Sequence, residues 1–203
     1  QAAQKAIDTY GTGTHGVRLL AGTLDLHRQL EAKVAEFKGT ESAATFSSGY
    51  FANVSAIAAL AGKNDTLICD KLDHASIVDG CRLSGAKCVR FRHNDMGHLE
   101  ACLKNRSNPG RKIVIVDAVF SMDGDIINLP EVSRLCQQHG AALMVDEAHS
   151  VGMLGHTGHG IEEHFHLPSD CVDVKMGTFS KAIPSVGGYI AGSKKLCDFL
   201  CHQ

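Results

Sequence analysis

Short β-rich runs alternate along this chain with segments of helical period. Apolar and β-branched residues gather at 43–47, 66–69, 87–91, 112–116, 141–145, 172–176 and 188–191, which predicts seven strands. Apolar positions recur at helical spacing over 24–37, 53–61, 76–84 and 130–139, which predicts helices. In the first of these, Leu26, Leu30, Val34 and Phe37 fall on one face, and Thr23 stands where an N-cap is expected. Residues 1–10 also read as helical. Alternation of this kind predicts an α/β domain on a mostly parallel sheet. No repeat, low-complexity tract or linker divides residues 1–203.

Composition narrows the class. With 203 residues, 44% of them hydrophobic, the chain can bury a core without metals or crosslinks. A net charge of −2 argues against nucleic acid as a partner. No apolar run approaches the roughly 18 residues of a membrane span, and Gln1–Lys5 lacks the apolar core of a signal peptide. These features predict a cytoplasmic protein. Eight cysteines, at 69, 81, 88, 102, 136, 171, 197 and 201, form no C-x-x-C pair, which predicts reduced and largely buried thiols.

Candidate chemistry centres on Lys181, in Gly177-Thr178-Phe179-Ser180-Lys181-Ala182, which follows the acidic turn Val145-Asp146-Glu147-Ala148-His149-Ser150. A lysine alone reads as a solvated surface residue. Here each motif follows a predicted strand, the usual address for ligands in open α/β sheets. A lysine to form a Schiff base and a carboxylate to keep a pyridinium nitrogen protonated are what a pyridoxal phosphate site needs.

Further stretches carry a family resemblance: Gly39-Thr40-Glu41, Ser48-Gly49-Tyr50-Phe51-Ala52-Asn53, Asp73-His74-Ala75-Ser76, Arg92-His93-Asn94-Asp95 and Phe120-Ser121-Met122-Asp123-Gly124-Asp125. With the two motifs above, they make the chain resemble the α-oxoamine synthase family of fold-type I pyridoxal phosphate enzymes. Within it, residues 79–83, 89–95 and 177–181 look most like the bacterial serine palmitoyltransferase branch of sphingolipid biosynthesis.

The resemblance implies a three-layer large domain on a seven-stranded sheet whose last strand, near 188–191, is antiparallel. It implies that residues 1–203 are an incomplete cofactor-binding large domain, lacking an N-terminal segment and a C-terminal small domain. It also implies a homodimer with its active site at the subunit interface. The implied reaction condenses serine, glycine or alanine with an acyl-CoA, usually with decarboxylation, to give an α-amino ketone. Alternatives are another reaction of the same fold type, an aminotransferase or lyase, and a non-catalytic partner subunit or fragment.

Each candidate residue has a plainer reading beside this one. The amides of Gly49 and Tyr50, between a strand and a helix, suit a phosphate, although any glycine-containing turn would look the same. The resemblance adds the Thr178 hydroxyl to that phosphate. It stacks His74 over the pyridine ring, where a loop histidine is otherwise just solvated. It chooses Asp146 over the adjacent Glu147 for the ring nitrogen, puts His149 on the phenolic oxygen and gives Ser121 a polar contact. The implied catalytic set is Lys181, His74, Asp146 and His149.

Three other patterns lead away from the site. Gly11-Thr12-Gly13-Thr14-His15-Gly16 fits G-x-G-x-x-G but follows a helical stretch, which is the wrong setting for a dinucleotide fingerprint. His149, His156, His159, His164 and His166 match no compact zinc spacing, so no metal is expected. Ser47 and Ser48 lack the G-x-S-x-G elbow of a serine hydrolase. Pro184, where many members of the family have glycine nearby, should stiffen the turn after Lys181.

Overall fold

The computed structural model describes residues 1–105 and 108–203. Its elements run α1 (Ala2–Tyr10), α2 (Asp25–Lys38), β1 (Ser42–Phe46), α3 (Gly49–Leu60), β2 (Thr66–Asp70), α4 (Ala75–Ser84), β3 (Lys87–Phe91) and α5 (Met96–Lys104). There follow β4 (Lys112–Asp117), α6 (Leu129–His139), β5 (Ala142–Asp146), α7 (Ile161–His164), β6 (Val174–Ser180), β7 (Pro184–Gly192) and α8 (Lys194–Cys201).

The strands form one sheet in the order β1-β7-β6-β5-β4-β2-β3. β2, β3, β4, β5 and β6 pair in parallel, and β7 is antiparallel to both β1 and β6, as the resemblance implies. Both faces are covered, so the central strands are apolar throughout. Ile68, Val114, Val116, Leu143 and Val145 pack on one face against α5 and α6, and Leu67, Cys69, Ile113, Ile115 and Met144 pack on the other against α3 and α4. This alternation yields the three-layer fold.

Several boundaries differ from the pattern-based expectation. Thr23 does not cap α2: the cap is Leu24, whose N–H is accepted by His27 Nδ1 at 3.0 Å, while Thr23 Oγ1 donates to Arg18 O. Leu26, Leu30 and Phe37 stay partly exposed on α2, and only Val34 of the expected apolar face is buried. β6 begins later than expected and runs on to Ser180, so Lys181 heads a tight hairpin that Pro184 closes as the first residue of β7. α5 and α8 were not foreseen, although each has a side-chain cap, Asp95 accepting from His98 N and Ser193 accepting from Leu196 N. The thiols are free and largely buried, as expected, with Cys88 and Cys201 the exposed exceptions.

Candidate active site

Parallel strands bring their carboxyl ends to one edge of the sheet, and the site lies there. Asp117 ends β4, Asp146 ends β5, and the two are cross-strand partners. Both carboxylates are buried, at 6% and 4% exposure. Burial first, and then the negative charge of Asp146, raise the Asp117 carboxyl to about 8; the His74 amide and the Lys181 ammonium oppose this.

Asp146 is held rigidly. Its Oδ2 accepts from Asn53 Nδ2 at 2.7 Å and its Oδ1 from Ala148 N at 2.9 Å. The Asn53 amide also donates to Ser76 Oγ at 2.9 Å, and that hydroxyl meets His74 Nδ1 at 2.7 Å. Because the Ser76 N–H also donates to His74 Nδ1, this nitrogen is the acceptor and the neutral ring carries its proton on Nε2. His74 is thereby the N-cap of α4. Its own N–H donates to Asp117 Oδ2. One chain of hydrogen bonds thus joins Asp146, Asn53, Ser76 and His74.

Glu147 goes elsewhere. It forms a buried ion pair with Lys38 at 2.5 Å, each side chain 1% exposed, and its Oε1 accepts from Ile161 N.

Lys181 is exposed as a residue, yet its amine lies 3.4 Å from His149 Nδ1. Loss of water around the amine lowers its pKa, against the pull of Asp146 and Asp117. Burial and the neighbouring Lys181 charge lower that of His149.

The start of α3 lines the same cleft. Ser48 caps α3, its Oγ accepting from Phe51 N, and the first intrahelical bond runs from Ala52 N to Ser48 O. The amides of Gly49 and Tyr50 precede that bond and stand at the positive end of the helix dipole. Thr178 Oγ1 donates to Gly187 O and lies 2.9 Å from Ser180 Oγ, so two hydroxyls flank the turn. Close approach here depends on glycine: a Cβ on Gly188 would lie 2.6 Å from the Gly49 Cα, and one on Gly49 would lie 2.9 Å from Met176 Cε.

A cavity of about 250 Å³ joins these parts, lined by Gly49, Tyr50, His74, Asp146, His149, Thr178 and Lys181, together with Asn53, Ser76 and Asp117. All the expected site residues but one therefore meet. Ser121 lies on an exposed turn and does not line the cavity. Asn53, Ser76 and Asp117 were not singled out from sequence. Asn53 and Ser76 belong to the stretches 48–53 and 73–76 that carry the family resemblance, and Asp117 ends a strand as Asp146 does.

The aminotransferase class I and II family model matches residues 1–202. The chain belongs to this family. It is 46% identical over its whole length to serine palmitoyltransferase from Sphingobacterium spiritivorum, covering 51% of that protein. It is 47% identical to 8-amino-7-oxononanoate synthase from Geobacter sulfurreducens, covering 52%. A solved serine palmitoyltransferase with pyridoxal phosphate as its internal aldimine superposes with a TM-score of 0.93 at 40% identity, covering 98% of this chain and 50% of that one. The close relatives are thus α-oxoamine synthases, and the chain spans about half the length of the curated relatives it matches. Among the described residues, no helix is long and apolar enough to cross a membrane.

Proposed function

We propose that this chain is the cofactor-binding part of a pyridoxal phosphate-dependent acyltransferase that condenses an amino acid with an acyl-CoA to give an α-amino ketone. The observation that carries this reading is the convergence on one cleft of the Lys181 amine, the hydrogen-bonded Asp146 carboxylate and the free amides at the start of α3.

The residues fit the cofactor at each of its polar ends. Gly49 N, Tyr50 N and the hydroxyls of Thr178 and Ser180 would hold the phosphate. Asp146 would keep a proton on the pyridine nitrogen, and Asn53 Oδ1, buried and without a partner among the described residues, leaves an acceptor in the same cleft. When bound, pyridoxal phosphate supplies an electron sink for the pair left by Cα–H cleavage. Lys181 is the attachment point, and its free amine, easier to deprotonate than an ordinary lysine, carries the proton to and from the substrate carbon. His74, oriented by Ser76, would stack on the pyridine ring, and His149 would hydrogen-bond the phenolic oxygen.

The relatives include serine palmitoyltransferases and 8-amino-7-oxononanoate synthases, and the α-oxoamine synthase resemblance makes the amino acid serine, glycine or alanine. A homodimer suits the exposed surface around the site. Val186, on the hairpin next to Lys181, is 82% exposed, and Leu30, Phe37, Phe179 and Ile183 line an apolar groove beside it.

The test is release of free CoA thiol, in the protein as it occurs, on mixing amino acid, acyl-CoA and pyridoxal phosphate. Thiol release that needs all three supports the reading. Formation of an oxo acid without thiol release would point instead to aminotransferase chemistry.

A further inference from the structure

Away from the cleft, three cysteines from three successive elements meet at the outer end of the sheet. Cys69 lies on β2, Cys81 on α4 and Cys88 on the edge strand β3. Cys88 is on the strand paired to β2, with Leu67 as its cross-strand partner, and Leu67, Cys69 and Cys81 share one core cluster. Their Sγ atoms all lie within 4.8 Å of one another, and the Cys69 and Cys81 sulfurs are 3.5 Å apart. All three are free thiols.

We propose that Cys69, Cys81 and Cys88 form a binding site for one soft, thiophilic metal ion. Metal–thiolate bonds of about 2.3 Å place sulfurs about 3.8–4.0 Å apart in tetrahedral or trigonal geometry, a spacing these side chains reach with small rotations. Three thiolates, with no histidine in the cluster among the described residues, favour Cu(I), Zn(II) or Cd(II) over magnesium or calcium, which take oxygen. Cys69 and Cys81 are buried, which shields the site, while exposed Cys88 gives it a route to solvent. Binding replaces each thiol proton by a metal–sulfur bond and releases the proton to water, with no change of oxidation state. An ion there would tie the edge strand to α4, whose N-cap is His74.

The competing thiols are Cys197 and Cys201, four residues apart on α8, the second of them exposed. The experiment titrates the reduced, metal-free chain with cadmium chloride. It follows thiolate-to-metal absorbance and, by mass spectrometry after alkylation, which cysteines the metal protects. One cadmium per chain is expected, with Cys69, Cys81 and Cys88 protected together. Cys88→Ser, at an exposed edge position where folding is checked by circular dichroism, should weaken binding at least tenfold, and Cys201→Ser should leave it unchanged. Protection confined to Cys197 and Cys201, uptake insensitive to Cys88→Ser, or no uptake by the reduced native chain would overturn the proposal.

Discussion

Asp146 and Glu147 are adjacent in the chain and serve opposite sides of the sheet edge. Asp146 faces the cleft on hydrogen bonds from Asn53 and Ala148, and Glu147 is sealed in an ion pair with Lys38. The strand's alternation separates them. One carboxylate is thereby available to a ligand, and the other holds α2 to the turn after β5.

That division makes Glu147 structural. Lys38→Met leaves the Glu147 charge buried and unpaired and should destabilise the chain by about 3–5 kcal/mol. Adding Glu147→Gln to Lys38→Met should recover much of this loss, since the amide oxygen still accepts from Ile161 N. Urea unfolding of the two variants checks it, and additive losses would contradict the pairing.

Asn53 positions Asp146 and touches no substrate in this account. Asn53→Ala removes a charge-assisted hydrogen bond worth about 1.5–3 kcal/mol and should weaken pyridoxal phosphate binding about 10–100-fold. A fluorescence titration with the cofactor measures it. Asn53→Gln should restore affinity only if the longer amide regains Asp146.

Asp117 has a carboxyl raised to about 8, chiefly by burial and then by Asp146. A raised carboxyl pKa means that the folded chain holds a proton the unfolded chain has lost. Its contribution to stability is therefore full below the unfolded value of about 3.9 and falls away as pH rises through about 8. Asp117→Asn keeps an oxygen for the His74 N–H and carries no charge. The variant's advantage over the native chain should be at least about 1 kcal/mol larger at pH 8 than at pH 4, growing across that window, as measured by denaturant unfolding without cofactor.

Gly188 lets β7 pass against the start of α3. In Gly188→Ala the new methyl meets backbone atoms of Gly49 and Ser48 at 2.6–2.7 Å, which no side-chain rotation relieves. The helix start must move, so the variant should lose about 1–3 kcal/mol of stability and bind inorganic phosphate and the cofactor more weakly. Unchanged cofactor affinity would mean that the α3 amides do not hold the phosphate.

Much of this arrangement was legible from sequence because it is local. Strand periodicity located β2 to β5, and the residues that close each strand, Asp146 and the Lys181 hairpin, carry the chemistry at the sheet's carboxyl edge. Properties that depend on packing between distant segments were not legible. Asn53 sits inside a helix, and nothing in its neighbours says that it reaches Asp146, 93 residues away. The cap role of His74 depends on Ser76 turning back to the ring. Arg92-His93-Asn94-Asp95 has no role that its sequence announces. It proves to be a clamp, in which His93 bridges Asp70 and Asp125 and Asn94 takes φ of 50° to donate its N–H to Asp70. Cys69, Cys81 and Cys88 have no sequence spacing that announces a cluster, because a strand, a helix and an edge strand bring them together.

Everything proposed for the cleft depends on Lys181 as the attachment point for pyridoxal phosphate. The most direct test is the visible absorption spectrum of the chain with added pyridoxal phosphate, recorded for the native sequence and for Lys181→Ala. An imine band is expected in the native chain, growing as pH rises through the lowered lysine pKa, and none in the variant. A band of equal strength in both, or none in either, would contradict that attachment.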